Sequence, residues 1–548
     1  MRQFFAQLFV SGRKQIAFMA AEKSPTRISQ CLFATSRSEI GKGRKNCADS
    51  PILSHSSLCR RRHKAVFIAE QNLKFCSRFL RRKRLRNGVS MRNLTLENIA
   101  KACNGRLFCN SEELSKREVS DIVTDNRKVT KDSLFVAIKG ARVDGHSFIN
   151  SAYEAGALCV ISEQELDTDK PYILVESSLV AIKHIAKFYR EGLDIKVVGI
   201  TGSVGKTSTK EMIYSVLSEK YNVLKTEGNF NNELGLPLTI FRIREEHEIA
   251  VLEMGISDFG EMTRLSEIAQ PDVAVITNIG LCHLENLKTR DGILKAKTEM
   301  FKNISEDASI VLNGDDDKLS TISEYNGIKP YFYGIDNKES KIYADNIENL
   351  GIKGIKCDIH YKDSTIKALI NIPGKHMVYN ALAAVCVGKI FGLKDNEIEK
   401  GIEKLKPVSG RNNLLELDGI TVIDDCYNAN PVSMRASIDV LNYAAGRKVA
   451  ILGDMGELGA NEDKMHKEIG DYIINTDIDV VVLAGKLMNN AFLELEKQHF
   501  DRKIYYFDKL DDLVSELPRI IKKDDTILVK ASHFMNFVKI VEYFKENW

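Results

Sequence analysis

VVGITGSVGKTSTKEM, running from Val197 to Met212, is the stretch that decides the fold of the central part of this chain. An apolar run leads into a turn of small residues, and Gly-Lys-Thr then opens a helix. Glycines in such a turn let backbone N–H groups point inward around phosphate oxygens, and the start of the helix aims its positive dipole end at the same place. The strict P-loop has a glycine five positions before Gly205; here position 200 is Ile, and the nearest glycines are Gly199 and Gly202. The pattern therefore predicts a variant phosphate cradle made of Thr201, Gly202, Ser203, Val204, Gly205, Lys206, Thr207 and Ser208. In it Lys206 supplies a point charge to the outer phosphates and the Thr207 hydroxyl suits Mg²⁺. A glycine turn followed by an unremarkable helix is the competing reading; the apolar strand before it and the helix after it weigh against that. No Asn-Lys-x-Asp element accompanies the cradle, which disfavours a guanine nucleotide.

Outward from the cradle, IKVVGIT, IAVLEMG, DVAVITNIG and ASIVLNGD are short runs rich in Val and Ile with few charges. Strands of this kind are buried on both faces of a parallel sheet. The ends of such strands converge on the ligand crevice, which makes Glu253, closing IAVLEMG, and His283, following VITNIG, candidate site residues. Mg²⁺ prefers oxygen ligands, so Glu253 is a natural partner for Thr207. DGILKAKTEMF places Lys295 and Lys297 on a helix, where two lysines by themselves indicate a solvated face. In IPGKHMVYNALAAV a turn feeds a helix of small residues from which His376 and Asn380 can reach a pocket. A second alternating series (ITVIDDC, KVAILGDM, DVVVLAG, KIYYF, DTILVKAS) starts near residue 414 and predicts another α/β domain. Arg411 beside Gly410 stands at the boundary, and Asp424, Asp425 and Asn428 follow the first of these strands. Residues 91 to about 192 mix short strands and helices ahead of all this.

The chain has 548 residues, enough for about three domains, with 44% hydrophobic and 28% charged residues. No stretch reaches about 18 uninterrupted apolar residues, so no membrane-spanning helix is expected. The net charge of +3 hides an asymmetry: residues 1–90 hold 20 Lys and Arg against 4 Asp and Glu, and residues 91–548 hold 58 against 71. A nucleic-acid-binding enzyme would not usually confine its positive charge to a leader. The 11 cysteines form no C-x-x-C pair and no zinc-finger spacing, and read as reduced core thiols.

In order along the chain, GITGSVGKTSTKEM, TEGNFNNELGLPLT, LEMGISDFGEM, TNIGLCHLENL, KAKTEMF, GKHMVYNALAA, SGRNNLLEL, DDCYNANPVSM and LGDMGELG closely resemble the Mur ligases of bacterial cell-wall synthesis, over about residues 92–548. Among them the resemblance is to the member that adds D-alanyl-D-alanine to UDP-N-acetylmuramoyl-tripeptide. The resemblance implies an α/β protein of three domains: a UDP-precursor-binding domain (91–192), a central ATP-binding domain with a parallel P-loop sheet (193–408) and a C-terminal Rossmann-like domain (409–548). It implies ATP and two Mg²⁺, with Lys206, Glu253, His283 and Lys297 as catalytic residues. Thr207 and Glu253 would hold one Mg²⁺, His283 would help hold a second, and Lys297 matches the lysine that becomes carbamylated. His376, Asn380, Arg411, Asp425 and Asn428 match the nucleotide side. Asp125, Arg127, Lys139, Gly140 and His146 in TDNRKVTKDSLFVAIKGARVDGHSF, with Asn229 and Asn232 in GNFNNELG, are the implied substrate contacts. A monomer in the bacterial cytoplasm, with neither nucleic acid nor membrane as partner, completes the expectation.

Three departures stand out. Val408-Ser409-Gly410-Arg411 lacks the proline that commonly precedes Gly-Arg; Asp125-Asn126-Arg127 lacks a hydroxyl in the middle; and Lys530-Ala531-Ser532-His533 ends in His where the family commonly has Arg. Two other readings remain beside the ligase: a folylpolyglutamate synthase, which shares the ATPase core but not the first domain or GNFNNELGLPLT, and a non-catalytic ATP-binding descendant, which intact Lys206, Glu253, His283 and Lys297 disfavour.

The first 90 residues, rich in Arg and Ser, read as sequence translated from a misplaced start, as an organelle transit peptide or as a basic tail for an anionic partner. Without a periodic apolar face they are expected to be disordered. A chain starting at Met91 is expected to retain full activity and thermal stability; a substantial loss of either on truncation would make the leader part of the folded enzyme.

Overall fold

The computed structural model describes residues 91–548, and the expectations for residues 1–90 lie outside it. Three sheets follow one another along the chain. The first is built from β1 (Arg106–Phe108), β2 (Ile122–Val123), β3 (Leu134–Val136), β4 (Cys159–Ser162) and β5 (Tyr172–Leu174), in the order β1-β5-β4-β3-β2. Its strands are parallel except for β1, which runs against β5.

The second sheet has nine strands: β6 (Lys196–Thr201), β7 (Val223–Lys225), β8 (Ile249–Glu253), β9 (Val273–Ile276), β10 (Ser309–Asn313), β11 (Tyr331–Gly334), β12 (Ile342–Asn349), β13 (Ile355–Tyr361) and β14 (Ser364–Ile370). The order is β14-β13-β12-β11-β10-β9-β6-β8-β7, parallel from β7 to β12 and antiparallel through β13 and β14. The strands β8 and β9 are buried along their whole lengths, as their unbroken apolar runs require. The helix Ser178–Glu191 packs on one face, joining the first domain's core to that of the second. The cradle helix Lys206–Leu217 and the helix His376–Ile390 cover the other. These two approach closely where Gly388 carries no side chain, a Cβ there lying 3.2 Å from Val216; the next helix, Asp395–Glu403, packs on the cradle helix more tightly still, since a Cβ on Gly401 would lie 2.5 Å from the Cα of Val216.

The third sheet comprises β15 (Asn413–Leu417), β16 (Ile420–Asp424), β17 (Arg447–Gly453), β18 (Val480–Ala484), β19 (Lys503–Phe507) and β20 (Asp525–Lys530), in the order β15-β16-β20-β17-β18-β19. All are parallel but the edge strand β15, and each face has its own apolar core. The α/β class and the parallel sheets agree with the sequence reading. The antiparallel extension β12–β14 was not foreseen. The described cysteines are all free, and five of the seven are buried.

Candidate active site

Sheet register assembles the cradle. In β6, Ile200 pairs with Glu253 of β8 on one side, and Thr201 pairs with Ile276 of β9 on the other. The chain leaves β6 at Gly202 between the ends of its two neighbours, at a switch point of the strand order. A Cβ at Gly202 would sit 1.9 Å from the Thr277 hydroxyl, so only glycine fits there. Gly205, with φ of +82°, caps the helix in the left-handed region that glycine enters freely. The loop is held from β9: the Val204 N–H donates to Asn278 Oδ1 (2.9 Å), and the Val204 carbonyl accepts from Asn278 Nδ2 (2.9 Å) and Thr277 Oγ1 (2.7 Å). Ser203 Oγ accepts from the Gly280 N–H at 2.8 Å. Lys206 folds over the loop, its ammonium donating to the Gly202 carbonyl at 2.9 Å. Thr201 lies buried just before the turn, and Ser208 is half-buried in the first turn of the helix.

Glu253 is 2% exposed. Its Oε1 accepts from Asn231 Nδ2 (2.8 Å) and from the Thr207 hydroxyl (3.3 Å). Among the described residues its Oε2 has no hydrogen-bond partner, and the ammonium of Lys210 lies 3.7 Å away. A buried carboxylate oxygen left in that state is costly unless a cation takes it. Among the described residues no group of three or more His, Cys, Asp and Glu side chains is assembled as a metal cage. Mg²⁺ is commonly held by one or two carboxylates together with nucleotide phosphates, and the unpartnered Glu253 oxygen beside the Thr207 hydroxyl offers such donors. Thr207 and Glu253 therefore fit a Mg²⁺ ion.

The helix Arg290–Thr298 turns Lys295 outward and Lys297 inward, so the two lysines do not share a solvated face. Lys297 is 1% exposed, and among the described residues no carboxylate lies within ion-pair distance of it. Burial pushes its ammonium pKa down from 10.5 to about 8, helped by the neighbouring charge of Lys206 and opposed by Cys282. The unfolded chain keeps that proton up to the ordinary value. Stability contributed here is therefore present above about 10.5 and lost as the pH falls through about 8. In bicarbonate-free buffer, denaturant unfolding of the parent should become harder between those pH values. Lys297→Met should flatten this rise; an unchanged slope would contradict the assignment.

His283, in the left-handed region at φ +54°, projects its Nδ1 to 2.9 Å from Glu457 Oε2, across to the third domain. Asn380 is buried against the cradle helix, its Oδ1 accepting from the Thr209 hydroxyl at 2.8 Å. His376 opens the helix His376–Ile390 that also carries Asn380; burial lowers its pKa, and its Nε2 lies 3.2 Å from Asn412 Nδ2. Arg411 lies over the Tyr427 ring at 4.1 Å. Asp425 is buried and fully engaged, by the Asn412 N–H (3.2 Å), the Ser437 hydroxyl and the buried ammonium of Lys530. Lys530 also donates to the Asn428 carbonyl at 3.1 Å, while the Asn428 side chain caps its own turn.

In the first domain Asp125 and Arg127 close a two-bond fork on each other (2.9 and 2.8 Å), which holds the Asp125 carboxyl down to about 2. Arg127 is otherwise exposed, and Asn126 donates to the Ser151 hydroxyl at 3.1 Å. Lys139 and Gly140 lie exposed on a tight turn closed by the Gly140 N–H to the Val143 carbonyl at 2.9 Å. His146 is buried with both ring nitrogens engaged, Nδ1 with Asp144 (2.6 Å) and Nε2 with the Glu163 N–H (3.0 Å), so it shapes this turn from inside.

Sequence reasoning passed over Asn231, Thr277, Asn278 and Glu457. Asn229 is exposed and Asn232 Oδ1 accepts from the Leu234 and Gly235 N–H groups, whereas Asn231, between them, turns in to Glu253. The signal for Thr277 and Asn278 was their place directly after the apolar run of β9.

Three family descriptions match the chain: "Mur ligase family, catalytic domain" over residues 118–200, "Mur ligase middle domain" over 200–388, and "Mur ligase, glutamate ligase domain" over 410–533. A UDP-N-acetylmuramoyl-tripeptide–D-alanyl-D-alanine ligase of Bacillus subtilis is 39% identical over 459 residues, covering 82% of this chain and 97% of that protein. The Escherichia coli protein of the same name is 32% identical, covering 83% and 99%. Among solved structures, MurF of Acinetobacter baumannii superposes with a TM-score of 0.76 at 30% identity, covering 84% of this chain and all of that one. MurF of Thermotoga maritima in complex with ADP gives 0.68 at 32%, covering 78% and 97%.

Proposed function

The chain belongs to the Mur ligase family, and from that premise we infer that it joins D-alanyl-D-alanine to UDP-N-acetylmuramoyl-tripeptide at the expense of ATP, a step of peptidoglycan precursor synthesis. The observation that carries this reading is that the likeness to ligases of this one activity runs through all three sheets. The two other readings explain less: a folylpolyglutamate synthase would not share the first domain, and a non-catalytic descendant has no use for an orphaned Glu253 oxygen beside the cradle.

A carboxylate is a poor electrophile, and phosphorylation gives it a leaving group. The terminal carboxylate of the tripeptide attacks the γ-phosphorus of ATP, ADP departs, and the dipeptide amine then attacks the acyl phosphate carbon and expels phosphate. The protein's task is to align two anions and neutralise them. The Lys206 ammonium exchanges the Gly202 carbonyl for a phosphate oxygen, and the cradle N–H groups take the remaining ones. Thr207 and Glu253 would hold Mg²⁺, which would neutralise phosphate charge. His283 is assigned to a second Mg²⁺. Lys297, whose pKa burial lowers to about 8, offers far more neutral amine near neutral pH than an ordinary lysine and is suited to react in that form with carbon dioxide. The resulting carbamate makes a cation into an oxygen ligand. Asn380, His376, Arg411, Asp425 and Asn428 are assigned to the nucleotide side, with Asp425 acting from within its buried network. Asp125, Arg127, Lys139, Gly140, Asn229 and Asn232 are assigned to the precursor, with His146 supporting their turn. The boundaries at 192/193 and 408/409, action as a monomer, and residence in the bacterial cytoplasm belong to the same reading; among the described residues no helix is long and apolar enough to cross a membrane.

The test is product formation: ADP should appear only when UDP-N-acetylmuramoyl-tripeptide and D-alanyl-D-alanine are both supplied with ATP. ADP formed with folate and glutamate instead would overturn it. The reaction also calls for closure, because Arg411 and Asp425 lie beyond the domain boundary from the cradle and water would hydrolyse an exposed acyl phosphate. Small-angle scattering with an ATP analogue and precursor should show a smaller radius of gyration than the free enzyme. An unchanged radius at saturation would count against closure.

A further inference from the structure

The contact between His283 and Glu457 joins two domains at the nucleotide site, and no role has been given to Glu457. It stands in LGDMGELG, just past the end of β17. Its loop is rigidly mounted on the third domain. The Met455 N–H donates to His466 Nε2 (2.9 Å), the Gly456 N–H donates to Ser532 Oγ (2.8 Å), and Leu458 is buried in the core. The Phe534 ring covers Gly456, where a Cβ would come within 2.8 Å of it. From this platform the Glu457 carboxylate reaches His283 Nδ1 at 2.9 Å. A second approach lies two residues on, where a Cβ at Gly459 would be 3.9 Å from the Glu285 nitrogen. Both contact residues hold left-handed backbone without being glycine, at φ +54° for His283 and +62° for Glu457. Such conformations persist where surrounding structure imposes them, and they cluster at functional sites.

A histidine that donates Nδ1–H to a carboxylate has its tautomer fixed, and its Nε2 lone pair is left free to bind a metal. Among the described residues the His283 ring has no other hydrogen-bond partner. We propose that Glu457 is a positioning residue that crosses from the third domain to orient His283, so that the second Mg²⁺ site is complete only when the domains have closed. Metal loading and closure then become one event: the site favours the closed arrangement as much as closure favours the metal. This rests on the assignment of His283 to a metal. It does not depend on which acceptor is ligated.

The test uses the full chain with a non-hydrolysable ATP analogue and no acceptor, so that its failure is separate from failure of the ligase reading. Mn²⁺ serves as the probe and is counted by electron paramagnetic resonance. The parent should bind two Mn²⁺. Glu457→Ala should keep the first and weaken the second by about 10–100-fold, the usual effect of removing a carboxylate behind a metal-bound histidine. Glu457→Gln retains an oxygen that can accept from Nδ1–H and should fall between the two. The ligand-induced decrease in radius of gyration should shrink in Glu457→Ala, and circular dichroism should report an unchanged fold. Equal affinity of parent and Glu457→Ala for the second Mn²⁺, or a parent that binds only one, would overturn the proposal.

Discussion

Lys206→Ala is expected to lower turnover by about 10²–10³ while leaving the protein folded, because one preorganised charge at a transferring phosphate is worth about that much. The ammonium lies only half-buried and makes a single hydrogen bond, to the Gly202 carbonyl, in the absence of nucleotide. Its removal takes from buried Gly202 one neutral acceptor's partner, a loss of about 1 kcal/mol that does not leave a charge unpaired. Thermal stability should therefore stay near that of the parent. The loop itself is held from β9 through Thr277 and Asn278, not through Lys206. Retention of more than about a tenth of parental turnover would contradict the assigned role.

Lys297→Ala is expected to be nearly inactive and to recover part of its activity when acetate or formate is added. Bicarbonate should favour the parent and leave the variant unchanged. The expectation follows from a lysine that is 1% exposed and has no carboxylate within ion-pair distance among the described residues. A buried ammonium in that setting is a liability that a purely structural role does not explain. As a carbamate the same side chain supplies oxygen to a cation, and a small carboxylate in the cavity left by truncation can do the same. Full activity of Lys297→Ala without any additive would rule this out. Without bicarbonate the variant should be no less stable than the parent at neutral pH, in contrast to the usual cost of truncating a buried side chain.

How far the sequence could be read depended on whether a signal was local. The cradle was legible because an apolar strand, a glycine turn and a Lys-Thr helix start lie within sixteen residues, Val197–Met212. Glu253 was legible because parallel strands end together at one edge. Lys297 was ambiguous without the family resemblance: Lys295 and Lys297 are two positions apart on a helix, and nothing in KAK says which one faces the core. Asn231 was missed because three asparagines stand nearly side by side, and the turn that selects one of them is held by Asn232 Oδ1 accepting from the Gly235 N–H three residues on. The hairpin of β13 and β14 carries the alternation of a half-buried pair, ICI against IAI on the inner face, but it was passed over in favour of the parallel series. The locked state of His146 and of Asp425 depends on partners 17 and 105 residues away, at Glu163 and Lys530, beyond any local pattern.

The grip of Asn278 on the Val204 peptide bears on the thermodynamics of nucleotide binding. One amide side chain pairs with both the N–H and the carbonyl of a single residue, Val204, as a neighbouring strand would, in the middle of the phosphate loop. A loop anchored there has already lost most of its backbone freedom before any ligand arrives, so association does not have to pay that entropy again. Calorimetry of ADP binding should thus carry little of the unfavourable entropy that marks coupled ordering, whereas Asn278→Ala should shift the balance toward it at similar enthalpy. The loop would then act as a mould set during folding, with its cost charged to the stability of the apoprotein and not to each catalytic cycle.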